Sequence, residues 1–374
     1  MLYLLGEAYS NTVLRLFASH LVLLSIGVII AGLLTYILLP RLWNRLPKDH
    51  GKALVPQGER SAGKPTGAGI ILSLVAAAVM LLVVPPDWSV VGVVLSLLAA
   101  MFFGYKDDAS AVPWGQLRKG LLDLLCAFVA ALCFCKWEPV TIWLPLIKDA
   151  LAVPPAIYVP CATAILWLSI NAMNCSDGVD GLAGSLGLIS LLSLSALLYL
   201  VLGNKFVAAY LLLPHYMDGA KWAIMSATIA GAVGGYLWHN AEPSKVLMGD
   251  AGSRMLGLAI GVEVLASGNP LLIVVVAPVV LANGGTGLVK IVLLRFLRRL
   301  GFDIAPTPSP TGAHDAPTTP HRPGIIRLLN KVRFPLHDHC RKNLGWSNAQ
   351  VLMRFVLIQS VLIPILFAIF VKVR

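Results

Sequence analysis

Ten apolar segments recur along these 374 residues, at about 20–39, 68–84, 90–103, 118–135, 157–173, 185–203, 220–238, 255–267, 270–290 and 351–371. In a bilayer every backbone polar group must be satisfied within the protein, so only helices and closed barrels span it. The segments lack the two-residue alternation of barrel strands, so helices are predicted, some of them shorter than the ~20 residues that cross a bilayer squarely. Only 13% of the chain is charged, where a soluble domain carries roughly 25%. The expectation is an all-α, polytopic integral membrane protein of about ten transmembrane helices, forming a single domain over residues 1–374.

The net charge is +11, and its placement orients the chain. Most of the 29 Lys and Arg lie in the loops after the first, third, fifth, seventh and ninth segments. Basic loops stay cytoplasmic, which puts both termini outside. The first segment has no basic n-region and is long enough to span, so it reads as a retained helix and not a cleaved signal. The basic balance suggests anionic lipid or phosphate partners. Nucleic acid is excluded, since no basic groove with interleaved aromatics is present. The cysteines at positions 126, 133, 135, 161, 175 and 340 form no Cys-x-x-Cys pair and read as small buried hydrophobes.

Polar motifs interrupt the apolar pattern at one set of loops. Between two apolar runs stands Asn171-Ala-Met-Asn174-Cys-Ser-Asp177-Gly-Val-Asp180-Gly-Leu-Ala-Gly184. Such a cluster is costly in a membrane unless it faces water, a metal or a substrate. Asn171, Asn174 and Asp177 share a face if the preceding helix continues through them. Asp107 and Asp108 end the third segment, and Met248-Gly-Asp250-Ala-Gly-Ser253 precedes the eighth, where Asp250 alternatively caps its own helix. Pro335-Leu-His337-Asp-His339 follows the last basic loop, and an extended chain would put both imidazoles on one side. All five carboxylates and both imidazoles fall on the expected cytoplasmic face, in an active-site cleft. Hard oxygen ligands suit Mg²⁺ or Mn²⁺ more than zinc. Lys119 is placed either to neutralise a phosphate or to snorkel to the interface.

Two further stretches need separate readings. Gly58 to Lys64 matches the first seven positions of a phosphate-binding loop, but Pro65 stands where Ser or Thr is required and no strand precedes it. Residues Ala305–Pro323 are Pro- and Thr-rich, hence an irregular loop. After it, Ile325, Ile326, Leu328, Leu329 and Val332 interleave with Arg327, Lys331 and Arg333, a short cationic helix expected to lie on the membrane. Loop and helix together form a cytoplasmic segment at about 301–335.

The chain resembles the polyprenyl-phosphate N-acetylhexosamine-1-phosphate transferases, and within them the phospho-N-acetylmuramoyl-pentapeptide transferases of bacterial peptidoglycan synthesis. The resemblance rests on Gly63-Lys-Pro-Thr66-Gly67, Gly104-Tyr-Lys-Asp107-Asp108, Asn171 through Gly184, Met248 through Ser253, Pro335 through His339, Gly345-Trp346 and Arg354-Phe355, in order along nearly the whole chain. It implies ten helices, a homodimer in the bacterial inner membrane, and a cytoplasmic Mg²⁺ site. It implies transfer of phospho-MurNAc-pentapeptide from UDP-MurNAc-pentapeptide to undecaprenyl phosphate, giving lipid I and UMP. By the same resemblance Asp250 and Asp177 hold Mg²⁺, and Asp107 and Asp108 bind or deprotonate the lipid phosphate. Asn174 and Asp177 complete the polar site, Asp180 and Asn240 seat the nucleotide, and Lys119 and His337 contact phosphates. Thr66 and His339 join the substrate-binding set.

The chain departs from the family pattern in places. Asp338 stands in the middle of the family's run of three His, Leu247 replaces an aromatic residue, and a Gln near the end of the ninth segment is absent, with Asn283 and Gly285 nearby. The Pro-rich loop is longer than usual. The alternatives are a sister transferase that uses UDP-GlcNAc and a transporter lined by Asp123, Glu263 and Arg354.

Overall fold

The computed structural model describes residues 1–9, 11–49, 62–147, 149–300 and 332–372. Every apolar segment is helical. In chain order they form α1 (His20–Leu42), α2 (Gly69–Val83), α3 (Trp88–Asp108), α4 (Gln116–Cys135), α5 (Pro155–Ser176), α6 (Leu182–Ala196, continued as a π-helix over Leu197–Leu202), α7 (Gly219–Asn240) and α8 (Gly249–Ala266). The ninth segment is broken into Leu272–Val276, Pro278–Val280, a π-turn at Leu281–Gly285, and α9 (Thr286–Arg299). Pro278 has no N–H to give and its ring clashes with the preceding turn, so a straight helix cannot run through it. A short helix α10 (Leu336–Asn343) then leads into α11 (Asn348–Lys372). The cationic helix and loop expected at about 301–335 lie outside the described residues as far as position 331.

Six helices among the described residues are long and apolar enough to cross a membrane: His20–Arg45, Trp88–Asp108, Pro155–Ser176, Leu182–Leu202, Pro278–Arg299 and Asn348–Lys372. The central helices differ for a physical reason. Every residue of α8 from Ala251 to Ala266 is buried, and it packs against α2, α3, α4, α5, α6 and α7. A helix shielded all round by other helices tolerates Arg254 and Glu263 in a way that a lipid-facing helix does not. Buried residues from Leu23 to Phe355 form one contiguous core around it.

A small hairpin of β1 (Val140–Ile142) and β2 (Leu151–Val153), antiparallel with Val140 opposite Val153, closes the far end of α8. Between its strands the fully buried Trp143 donates its indole N–H to the Ser267 carbonyl at 2.9 Å and its backbone N–H to the Gly268 carbonyl at 2.9 Å. These bonds satisfy carbonyls that a helix C-terminus leaves open. The same end carries an ion cluster. Asp87, the N-cap of α3, pairs with Lys136 at 2.9 Å and Lys221 at 2.5 Å, and Lys221 also meets Asp218 at 3.1 Å.

Burial works to raise the Asp87 carboxyl, but Lys221 and Lys136 outweigh it and hold it down at about 2, against an ordinary value of 3.8. A depressed carboxylate contributes stability that is full above its unfolded value and is lost as pH falls through its folded value. The thermal midpoint of wild type in detergent should therefore exceed that of Asp87→Asn by a constant margin from pH 5 to 8. The margin should close between about pH 4 and pH 2. A margin that ignores pH would contradict the ion cluster.

Candidate active site

The opposite end of the bundle gathers the C-termini of α3, α5 and α7 with the N-termini of α4, α6 and α8. Its anchor is the start of α8. Gly249 sits at φ +71°, and a Cβ there would fall 2.4 Å from Asp108 Oδ2 and 2.7 Å from the Gly67 nitrogen. Only glycine allows that conformation and that approach together. Asp108 Oδ1 accepts the N–H of Asp250 at 3.0 Å, and Oδ2 accepts that of Ala251 at 3.0 Å. Helix N-terminal amides have no intrahelical partner, and the helix dipole favours an anion there. So α8 is capped by a carboxylate from α3, and Asp250 does not cap its own helix; its side chain turns to other partners.

Those partners form a ladder of alternating charge. Lys119, in the first turn of α4, pairs with Asp107 and with Asp250 Oδ2, the latter at 3.0 Å. Arg254 Nη2 donates to the same Asp250 Oδ2 at 3.1 Å, and Arg254 Nη1 donates to Asp123 Oδ1 at 2.7 Å. Arg254 is 1% exposed and Asp123 3%. Asp107 Oδ1 also accepts the Trp114 N–H at 2.8 Å, and the Trp114 ring carries the Arg118 guanidinium 3.6 Å from its centroid. Lys119 therefore faces carboxylates and is not snorkelling. The sequence reading missed Arg254 and assigned Asp123 only to a transport path. A signal was available: Lys119 and Asp123 stand four apart on one apolar segment, and Asp250 and Arg254 four apart on another.

A second group lies beside the first. Asn240, at the end of α7, accepts the Gly181 N–H at 2.7 Å and donates to the Val246 carbonyl at 2.8 Å. Both ends of its amide stitch the entry of α6 to the segment before α8. Asp180 accepts the Ser244 N–H at 3.3 Å and pairs with Lys64 at 3.6 Å; Lys64 also donates to Ser244 Oγ at 3.0 Å. Thr66 is buried, with its N–H on the Pro47 carbonyl at 2.8 Å. The chain from Pro65 to Gly69 runs alongside Leu247 and Met248, joined by Leu247 N–H to Pro65 O, Ala68 N–H to Leu247 O and Gly69 N–H to Met248 O. This pairing links the Asp180 group to the Asp108 group.

Asn171, Asn174 and Asp177 do not share one helical face. α5 ends at Ser176, and Asp177 leaves it at φ −84°, ψ 67°, ahead of Gly178. Asn174 stays in the last turn and accepts the Asp177 N–H through its carbonyl at 3.2 Å. The expected extended His pair is also corrected. Residues Leu336–Asn343 are helical, and positions two apart on a helix face different ways. His337 points inward, 4% exposed, with its N–H on Asn283 Oδ1 at 2.9 Å and its Nδ1 3.2 Å from the same oxygen. A Cβ on Gly178 would fall 2.2 Å from its Nε2. His339 takes the Arg333 N–H at 3.4 Å instead. Asp338, in the place of the family's middle His, pairs with Lys342 at 3.5 Å and Arg341 at 3.9 Å on its own helix.

Among the described residues, no three His, Cys, Asp or Glu side chains group closely enough to hold a metal by themselves. Mg²⁺ does not need such a cage; it takes one or two carboxylates, with waters and substrate phosphates completing its shell. The donor set fits. Asp107, Asp108, Asp123 and Asp250 face only Lys119 and Arg254 in this cluster, so carboxylates outnumber cations four to two. Two of the three residues named for the transport reading are engaged elsewhere: Asp123 is tied to Arg254, and the Arg354 guanidinium stacks 4.1 Å from the Trp346 ring centroid.

The model of glycosyl transferase family 4 matches residues 90–268. A phospho-N-acetylmuramoyl-pentapeptide-transferase of Treponema pallidum (strain Nichols) is 44% identical over 363 residues, covering 96% of this chain and 93% of that protein. One of Helicobacter pylori (strain Shi470) is 27% identical over the full length of both. One of Brachyspira hyodysenteriae is 25% identical over 264 residues, 71% of this chain and 60% of that protein.

Gly249→Ala should drive a methyl group into Asp108 and uncap α8, at a cost of about 1–3 kcal/mol. Its thermal midpoint should fall clearly below wild type, whereas Gly234→Ala, whose Cβ meets nothing within 4 Å, should not fall. Equal midpoints for Gly249→Ala and wild type would contradict the cap.

Proposed function

The chain belongs to the phospho-N-acetylmuramoyl-pentapeptide-transferase family, and we propose that it transfers phospho-MurNAc-pentapeptide from UDP-MurNAc-pentapeptide to undecaprenyl phosphate, releasing UMP and leaving lipid I. The observation that carries the reading is Lys119 shared between Asp107 and Asp250 beside the amides of α8. This is a cation between carboxylates where two phosphate-bearing substrates would meet. The basic loops support a placement in a bacterial inner membrane with that end facing the cytoplasm and both termini outside. A homodimer is part of the same reading.

In this mechanism an oxygen of the lipid phosphate attacks the sugar-bearing phosphorus of the nucleotide in line. The bond from that phosphorus to the bridging oxygen breaks, and UMP leaves. Such a reaction needs positioning and charge neutralisation more than covalent help from the protein. Lys119 supplies one mobile cation, which moves from the carboxylates to a substrate phosphate. Asp107 takes the proton that a monoprotonated lipid phosphate carries. Asp108 is less suited to that task, because each of its oxygens holds an α8 amide. Magnesium held by Asp250 and Asp177 would neutralise charge on the pyrophosphate and on the departing UMP. His337, oriented by Asn283, contacts a phosphate, and Asp180 with Lys64 borders the nucleotide. Asn240 holds that border in shape. Isolation of a phosphosugar covalently bound to the enzyme would overturn direct attack.

The test is UMP release by purified protein in detergent with undecaprenyl phosphate. UDP-MurNAc-pentapeptide should support release with Mg²⁺ and none with EDTA, and UDP-GlcNAc should support none. Release from UDP-GlcNAc would reassign the chain to the sister transferases; release from neither would defeat the reading. Asp250→Asn should lower turnover by about 100- to 1,000-fold, as loss of one charge-stabilising group does elsewhere. It should remain folded by size-exclusion and melting. Turnover near wild type would refute the role of Asp250.

A further inference from the structure

Arg254 and Asp123 have no part in the reaction as written, yet both are buried beneath Asp250. A guanidinium and a carboxylate withdrawn from water stabilise a fold less than apolar side chains of the same volume would. Their geometry points upward. One arm of Arg254 holds Asp123 Oδ1 at 2.7 Å, and the other holds Asp250 Oδ2 at 3.1 Å. The remaining Nε has no hydrogen-bond partner, so the guanidinium is committed to these two carboxylates. Asp250 has a second cation on the same oxygen, Lys119, which also serves Asp107.

These two cations differ in freedom. The Lys119 side chain is 26% exposed, at the mouth of the site, while that of Arg254 is 2% exposed. A phosphate arriving at the mouth competes for Lys119 and cannot reach Arg254. Once Lys119 leaves, Arg254 alone continues to neutralise and aim the Asp250 carboxylate. Asp123 fixes the guanidinium from α4, and α4 is the helix that also carries Lys119.

We propose that the buried Arg254–Asp123 pair is a positioning device, which holds the Asp250 carboxylate toward the divalent cation after Lys119 has gone to a substrate phosphate. The inference rests on the transferase reading for its cation, not for the identity of the sugar nucleotide. Neither residue touches a reacting atom.

The experiment replaces both partners by leucine, Arg254→Leu with Asp123→Leu, so that neither charge is left buried alone. Alongside it go Arg254→Lys and Asp123→Asn, which keep one ion pair or hydrogen bond each. All are made in the full chain. Mn²⁺ binding is followed by electron paramagnetic resonance, and UMP release is resolved into kcat and KM. The double variant should melt near wild type but bind Mn²⁺ about 10- to 100-fold more weakly, the range that loss of a group behind a metal ligand produces. Its kcat should fall while KM for the nucleotide holds, and Arg254→Lys should recover part of both losses. Mn²⁺ affinity equal to wild type in the double variant, or in the two single variants if the double one fails to fold, overturns the proposal. So does a wild type that binds no Mn²⁺. A wild type that binds Mn²⁺ but releases no UMP defeats the proposed substrates, and the Mn²⁺ comparison still decides this inference.

Discussion

Two backbone amides at the start of α8 hold the carboxylate of Asp108, and the placement of the polar end follows from that contact. It ties the last turn of α3 to the first turn of α8. Asp107, next in the chain, then faces Lys119, and Asp250 faces Lys119 from the other side. The contact requires the left-handed Gly249 and the close passage of the chain at Gly67. That passage in turn pairs residues 65–69 with Leu247 and Met248 and draws Lys64 to Asp180. One capping interaction thus sets the register between the two halves of the site.

The electrostatic design follows from the solvent around it. Charges buried among apolar helices are costly unless paired, so the site is built as a ladder in which each cation serves two carboxylates. Lys119 is shared by Asp107 and Asp250, and Arg254 by Asp250 and Asp123. The carboxylates remain in excess, which leaves the mouth able to accept a divalent cation together with phosphate. The closed far end, with Trp143 sealing the last turn of α8 and Lys221 and Lys136 on Asp87, gives the central helix a fixed base. The His337 side of the site depends on the broken ninth segment. Pro278 and the π-turn after it bring Asn283 to the imidazole.

Local pattern carried far in the sequence, and it stopped at pairwise contacts. All ten apolar segments are helical, because hydrophobic length and the lack of alternation are local properties. Motif order put Asp107, Asp108, Asp177, Asp180, Asp250, His337 and His339 on one face, since loop position follows from the same helix pattern; Asn240 came only from the family resemblance. The cap of α8 by Asp108 was not legible, since it joins residues 142 apart through backbone amides that every sequence possesses. Arg254 and Asp123 are 131 apart, and each alone looks like a stray charge in an apolar run. The His pair misled because Pro335 permits either an extended chain or the start of a helix. His337 and Cys340, three apart and both buried, favour the helix. Asp177 escaped the helical face because the glycine after it ends α5 one residue early.

In the proposed mechanism the metal and the leaving nucleotide would meet at Asp250. Anomalous diffraction from crystals grown with Mn²⁺ and UMP tests it most directly. One strong peak is expected against the Asp250 carboxylate, with the nucleotide phosphate on its other side and Lys119 turned toward that phosphate. A Mn²⁺ peak that touches neither Asp250 nor the nucleotide, with Lys119 still between Asp107 and Asp250, would contradict it.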